Sequence, residues 1–99
     1  MLEADAVWFC YIVRCNDDSF YVGIAIDVGD RVKRHNWGVG PRYTAIRRPV
    51  ELVWQERCGN PDAARAREKE IKGWSRKKKF ELVAGKRACK PFTPKTGSG

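Results

Sequence analysis

Two β-forming runs on either side of a tight turn constrain this chain more than any other feature. Residues 7–15, VWFCYIVRC, are nearly all β-branched, aromatic or otherwise apolar, which suits a central strand. Asn16-Asp17-Asp18-Ser19 follows, residues whose side chains bond to nearby backbone and reverse a chain. Residues 20–26, FYVGIAI, form the second run. So short a turn joins antiparallel neighbours, because a parallel pair needs a crossover of roughly a dozen residues or more. The segment 7–26 is therefore read as a hairpin, and a doubly wound parallel fold is disfavoured.

The rest of the chain supplies helices and one more strand. Asp27 is a fair N-cap for a helix to about Trp37, weakened by Gly29 inside it. Residues 38–49, GVGPRYTAIRRP, read as a loop with one short helical turn, and 50–57, VELVWQER, as a third strand. Asn60-Pro61 is a cap and first-turn pair for a helix to about Gly73, and Ser75 caps a further short helix to about Val83. The order β-β-α-β-α-α predicts an α+β domain, a three-stranded antiparallel sheet flanked by helices. One domain over 7–84 accounts for most of the 99 residues. Residues 1–6 are expected to be a disordered start and 85–99 a disordered basic tail, whose final Gly-Ser-Gly has the composition of an appended linker.

Twenty Lys and Arg against twelve Asp and Glu give a formal net charge of +8, which favours a polyanionic partner such as nucleic acid. A basic but merely soluble surface is the plain alternative. A chain this short has little room for a deep cavity, so a surface groove is the expected site. No apolar run approaches the roughly 20 residues of a membrane span, and no amino-terminal signal pattern is present, so no membrane partner and a cytoplasmic location are expected. Cys10, Cys15, Cys58 and Cys89 contain no C-x-x-C pair and have no histidine nearby, which argues against zinc, and without a secretory signal disulfides are not expected either. The first three are read as small apolar fillers on strands.

Several side chains stand out. Phe9, Tyr11 and Val13 share one face of the first strand, and Tyr21 shares a face of the second with Gly23 and Ala25, both small. A glycine inside a strand often marks close approach, although both tyrosines would equally serve as core aromatics with satisfied hydroxyls. Arg31 and His35 are helical neighbours, and Val28, Val32 and His35 lie on one face. A surface arginine beside a core-flanking histidine is the alternative. Ala64, Glu68 and Ile71 fall within a narrow arc at about 100° per residue, so Glu68 shares the apolar face while Glu70 points away. A carboxylate there needs a metal or a partner, and an ion pair to Lys72 would also satisfy it. Arg42, Arg47 and Arg48 flank Tyr43 and Thr44, and Lys72 with residues 76–79 forms a second basic cluster suited to phosphates or simply to water.

In this order and register, these residues resemble the GIY-YIG nuclease superfamily. Phe9-Cys10-Tyr11 stands where the first family tripeptide stands, and Tyr21-Val22-Gly23 where the second does. Asp27-x-x-x-Arg31-x-x-x-His35-Asn36 is similar to the arginine helix. Gly38-x-Gly40-x-Arg42-Tyr43-Thr44 resembles the loop of small stand-alone bacterial members, and Ala64-x-x-x-Glu68-x-x-Ile71-Lys72 with Ser75-Arg76-Lys77 their glutamate helix and tail. The resemblance covers about residues 7–84. Phe9 replaces the first glycine of the motif, and Gly29 lies inside the arginine helix.

The resemblance implies a DNA endonuclease that uses one divalent metal, Mg²⁺ or alternatively Mn²⁺, held by Glu68, with a role in DNA repair or recombination. It implies Tyr11 as general base, with His35 as rival or relay, Arg31 on the scissile phosphate, and Tyr21 orienting water or phosphate. Asn36, Arg42, Tyr43, Thr44, Lys72 and Arg76 are implied as nucleic-acid contacts or as supports behind the catalytic groups. Two other readings stay open: a non-catalytic nucleic-acid-binding module, and a nuclease subunit that needs a partner.

Overall fold

The computed structural model describes residues 6–85. Its elements follow the order β1 (Trp8–Arg14), β2 (Phe20–Ala25), α1 (Val28–Trp37), α2 (Arg42–Ala45), β3 (Glu51–Gly59), α3 (Pro61–Lys72) and α4 (Arg76–Val83). This is the α+β order expected, and the sheet is antiparallel throughout with strand order β2-β1-β3. Apart from Ala6 and Gly85, the segments expected to be disordered lie outside the described residues.

The run that reads as a central strand is central. Cys10, Tyr11, Ile12 and Val13 are each at most 1% exposed, since both faces of β1 are covered. Its Tyr11 face packs with Val13, Ala25 and Val28, the last from α1. Its Cys10 face packs Ile12 and Val22 against Ile71 of α3 and Leu82 of α4. Alternation along the strand thus divides the molecule into two cores, one under α1 and one under α3 and α4.

Local chemistry sets the element ends. The Asp17 carboxylate accepts from the backbone and hydroxyl of Ser19, and Asp18 turns at φ 67°, a conformation that Asp tolerates better than most residues. Cys15 N–H donates to Ser19 O at 2.8 Å, so β1 ends one residue early and Cys15 is buried just beyond it. Asp27, Asn60 and Ser75 cap α1, α3 and α4 through their side chains, as their residue types suggest. β3 runs two residues past the expected end because a register shift lets Gly59 pair with Trp8.

Asn36 joins α1 to the start of β3. Its amide donates to Val50 O at 3.0 Å and accepts from Val50 N–H at 2.7 Å. The Asn36 side chain is thus bonded to backbone, which accords with a supporting role. Asn36→Ala leaves both Val50 groups without these partners. It should lower unfolding free energy by about 1–3 kcal/mol in a urea titration, and an unchanged midpoint would show that water replaces the amide at no cost.

Candidate active site

The site is built where the α1 face of the sheet meets the loop that follows α1. Tyr11 projects from the middle of β1 across Gly23 on the neighbouring strand, its register partner. A Cβ at Gly23 would lie 2.6 Å from Tyr11 Oη, so only glycine lets the phenol lie there. The hydroxyl meets His35 Nε2 at 2.8 Å, with both residues almost wholly buried. On its other side, His35 Nδ1 lies 2.8 Å from Thr44 Oγ1, and Thr44 in turn donates to Pro41 O at 3.1 Å. A Cβ at Gly40 would lie 2.8 Å from His35 Nδ1, so a second glycine gives the imidazole its clearance.

Tyr21 stands beside this couple. Its ring centroid is 5.3 Å from that of His35 in an edge-on arrangement and 6.0 Å from that of Tyr43. Lys72 Nζ lies 5.6 Å from the Tyr21 ring centroid and 3.2 Å from Glu68 Oε2. In this way α3, which packs on the other core, reaches the tyrosines around the open edge of β2. The Glu68 charge acts on Cys10 on one face of β1 and on Tyr11 on the other, in each case opposing loss of the proton. The helical arc that grouped Glu68 with Ala64 and Ile71 holds. Ala64 and Ile71 are fully buried and the Glu68 side chain is 23% exposed, while Glu70 faces outward to Arg67.

Arg31 is exposed and belongs to no ion pair among the described residues. It lines a surface groove of about 380 Å³ with Trp8, Ile26, Asp30, Arg34 and Val39. Its guanidinium charge also acts on Tyr11, in the direction that eases ionisation. Burial is the larger influence and, with the neighbouring Tyr21, leaves the Tyr11 phenol harder to ionise than a free tyrosine. For His35 the direction is downward, first from burial and then from the Arg31 charge, both favouring the neutral imidazole. The Cys10 thiol is pushed up to about 12, chiefly by burial, in keeping with an inert filler.

The expected nucleic-acid contacts divide. Thr44 is fully buried and lies behind His35, on the side of a supporting group. Tyr43 is 39% exposed and carries Arg47 at 4.0 Å over its ring. Arg42 is exposed. Arg47 is committed to Asp17 and Tyr43 O, Arg48 to Ala45 O and Asn36 O, and Arg76 to Asp18 O with its guanidinium over Phe20. Much of the basic charge that reads as phosphate-binding therefore ties loops together. Sequence reasoning passed over Gly40, whose role depends on how the loop folds back on α1. Its only signal was its place in the Gly-x-Gly pair.

A model of the GIY-YIG catalytic domain matches residues 7–81. The chain belongs to the GIY-YIG family. The chain is 52% identical over 75 residues to a UPF0213 protein of Staphylococcus epidermidis, covering 76% of this chain and 92% of that one. A UPF0213 protein of Staphylococcus aureus is 51% identical over the same shares. Among solved structures, the solution NMR structure of a UPF0213 protein from Bacillus halodurans superposes with TM-score 0.53 at 38% identity, covering 83% of this chain and 87% of that one. A second NMR structure, from E. faecalis, gives TM-score 0.57 at 26% identity over 89% and 94%. The match spans 92% of each of these Staphylococcus relatives, which are thus little longer than the domain itself. The family points to nuclease chemistry and a nucleic-acid substrate, while the names of these relatives state no activity. Among the described residues no helix is long and apolar enough to cross a membrane.

Gly23→Ala should push the Tyr11 ring off His35. Tyr11 is closely packed, so a misplaced methyl there is expected to cost about 1–3 kcal/mol in chemical denaturation. A variant as stable as the parent would mean that the phenol has space to move.

Proposed function

We propose that this chain is a divalent-metal-dependent endonuclease that hydrolyses DNA phosphodiesters. The observation that carries the reading is the buried Tyr11–His35 hydrogen bond of 2.8 Å. Both ring nitrogens of His35 are engaged, and glycines at 23 and 40 leave room for the couple.

Hydrolysis of a phosphodiester needs a deprotonated water, positive charge at the phosphate and relief for the leaving oxygen. Tyr11 alone is a poor base, because burial disfavours its phenolate. Paired with neutral His35 it need not hold that charge. Tyr11 Oη takes a proton from the attacking water as its own proton passes to His35 Nε2, and the positive charge comes to rest on the imidazole. Arg31, exposed in its groove, is free to grip the scissile phosphate, where a guanidinium fits two oxygens at once. Tyr21 orients water or phosphate beside the couple.

The donor set fits a weakly held ion. Among the described residues no cluster of three or more His, Cys, Asp or Glu could form a protein cage. Glu68 is a single, partly accessible carboxylate beside a cation, Lys72. One carboxylate suits Mg²⁺, which keeps several waters and takes further ligands from phosphate, and Mn²⁺ can replace it. When bound, such an ion supplies positive charge against the phosphate. Glu68 would hold it, with Lys72 released toward the nucleic-acid backbone. Arg42 and Tyr43 extend this surface, and the reading fits a role in repair or recombination.

With labelled single-stranded, duplex and branched DNA in Mg²⁺, Mn²⁺ or EDTA, the parent should cut only with metal. Glu68→Ala should bind DNA equally and leave no product. Binding that weakens with salt but yields no cleavage in any metal would instead favour a non-catalytic module. A partner requirement would show as cleavage only in cell extract.

The pH profile is a second test. His35 must be neutral to accept a proton, so turnover rises with pH through its pKa. Burial and Arg31 lower that pKa, so the acid limb of kcat should have its midpoint below the ordinary histidine value of 6.5. An acid limb that persists in His35→Gln would remove His35 from the proton path.

A further inference from the structure

Three buried contacts run in series from the sheet to α2. They are Tyr11 Oη to His35 Nε2 at 2.8 Å, His35 Nδ1 to Thr44 Oγ1 at 2.8 Å, and Thr44 Oγ1 to Pro41 O at 3.1 Å. Hydrogen counting gives this series a direction. A carbonyl oxygen only accepts, so the single hydroxyl proton of Thr44 is spent on Pro41 O. Thr44 Oγ1 can then meet Nδ1 only as an acceptor, and Nδ1 must carry the imidazole proton. In a neutral ring the other nitrogen is then bare, and the Tyr11 hydroxyl must donate to it.

We infer that Thr44 is a positioning residue that holds His35 in the Nδ1-protonated tautomer, leaving Nε2 as the proton acceptor for Tyr11. Pro41 O gives the Thr44 proton a partner other than Nδ1. Thr44 is fully buried, so water does not compete for its hydroxyl. Pro41 O is held in place because it also accepts from Ala45 N–H at 3.0 Å. Gly40 has no side chain to stand between Nδ1 and Thr44, where a Cβ would come within 2.8 Å of Nδ1. With the opposite tautomer, Nε2–H would face the phenol and Tyr11 would have nowhere to pass its proton.

The catalytic consequence rests on the nuclease reading, but the tautomer does not. The chain has a single histidine, so a long-range ¹H–¹⁵N spectrum of the full-length labelled protein reports on His35 alone. At neutral pH, Nδ1 should show the shift of a protonated ring nitrogen and Nε2 that of a bare one. The reverse pattern in the parent overturns the assignment outright.

Thr44→Val should move the proton to Nε2. It should also lower kcat for a labelled DNA substrate in Mg²⁺ by about a hundredfold at unchanged KM, the scale on which acid–base groups contribute. Thr44→Ser should restore both the parental spectrum and turnover. A folded Thr44→Val protein that keeps the Nδ1-protonated form, or a Thr44→Ser protein that does not regain it, overturns the role of Thr44. Should Thr44→Val fail to fold, the parent and Thr44→Ser spectra still decide. If the expected pattern appears and no metal supports cleavage, the nuclease reading fails while the tautomer assignment stands.

Discussion

A hydrogen bond between two enclosed side chains organises this molecule. Tyr11 and His35 are polar groups in a core, and burying either hydroxyl or imidazole without a partner is costly. Their 2.8 Å contact answers that cost and fixes much else. It sets how α1 lies on the sheet, because His35 must reach over β1. It requires glycine opposite Tyr11 and glycine beside His35. It also draws the segment after α1 back across the helix, so that Thr44 can meet the remaining ring nitrogen.

The two cores divide the labour. The Cys10 face, closed by Ile71 and Leu82, is apolar and carries no chemistry. Outside it, Arg67 pairs with Glu56 and Glu70 and lies over Trp54 and Trp74, a clamp that locks α3 to β3. The Tyr11 face mixes apolar packing with the histidine couple and is the less ordinary half of the core. Glu68 belongs to the first half by its helix and to the second by its charge. The meeting occurs at the edge of β2, where the sheet no longer separates the layers.

Most of the fold was legible because its signals are local. The hairpin follows from β-forming runs and a turn, and the helix starts from Asp27, Asn60-Pro61 and Ser75. The helical period placed Glu68 on the packed face of α3. What the sequence hid is long-range. Thr44 and Asn36 look like polar surface residues until α2 and β3 are folded against α1, when both become internal hydrogen-bonding groups. Arg47, Arg48 and Arg76 look like a phosphate-binding surface, yet carbonyls and a carboxylate of distant turns engage them. The direction of the Tyr11 shift was hidden for the same reason. The charge of Arg31 favours the phenolate, but the depth of burial outweighs it.

The turn between β1 and β2 is more than a connector. Asp17 is ion-paired to Arg47, Asn16 N–H donates to Arg47 O, and Asp18 O accepts from Arg76. Hairpin tips are ordinarily where chains accept insertions, proteolytic nicks and new termini. This one is moored to the layers on both faces of the sheet, so grafting a peptide or tag there would unfasten α2 and α4 together. Engineers seeking a place to attach cargo would do better elsewhere.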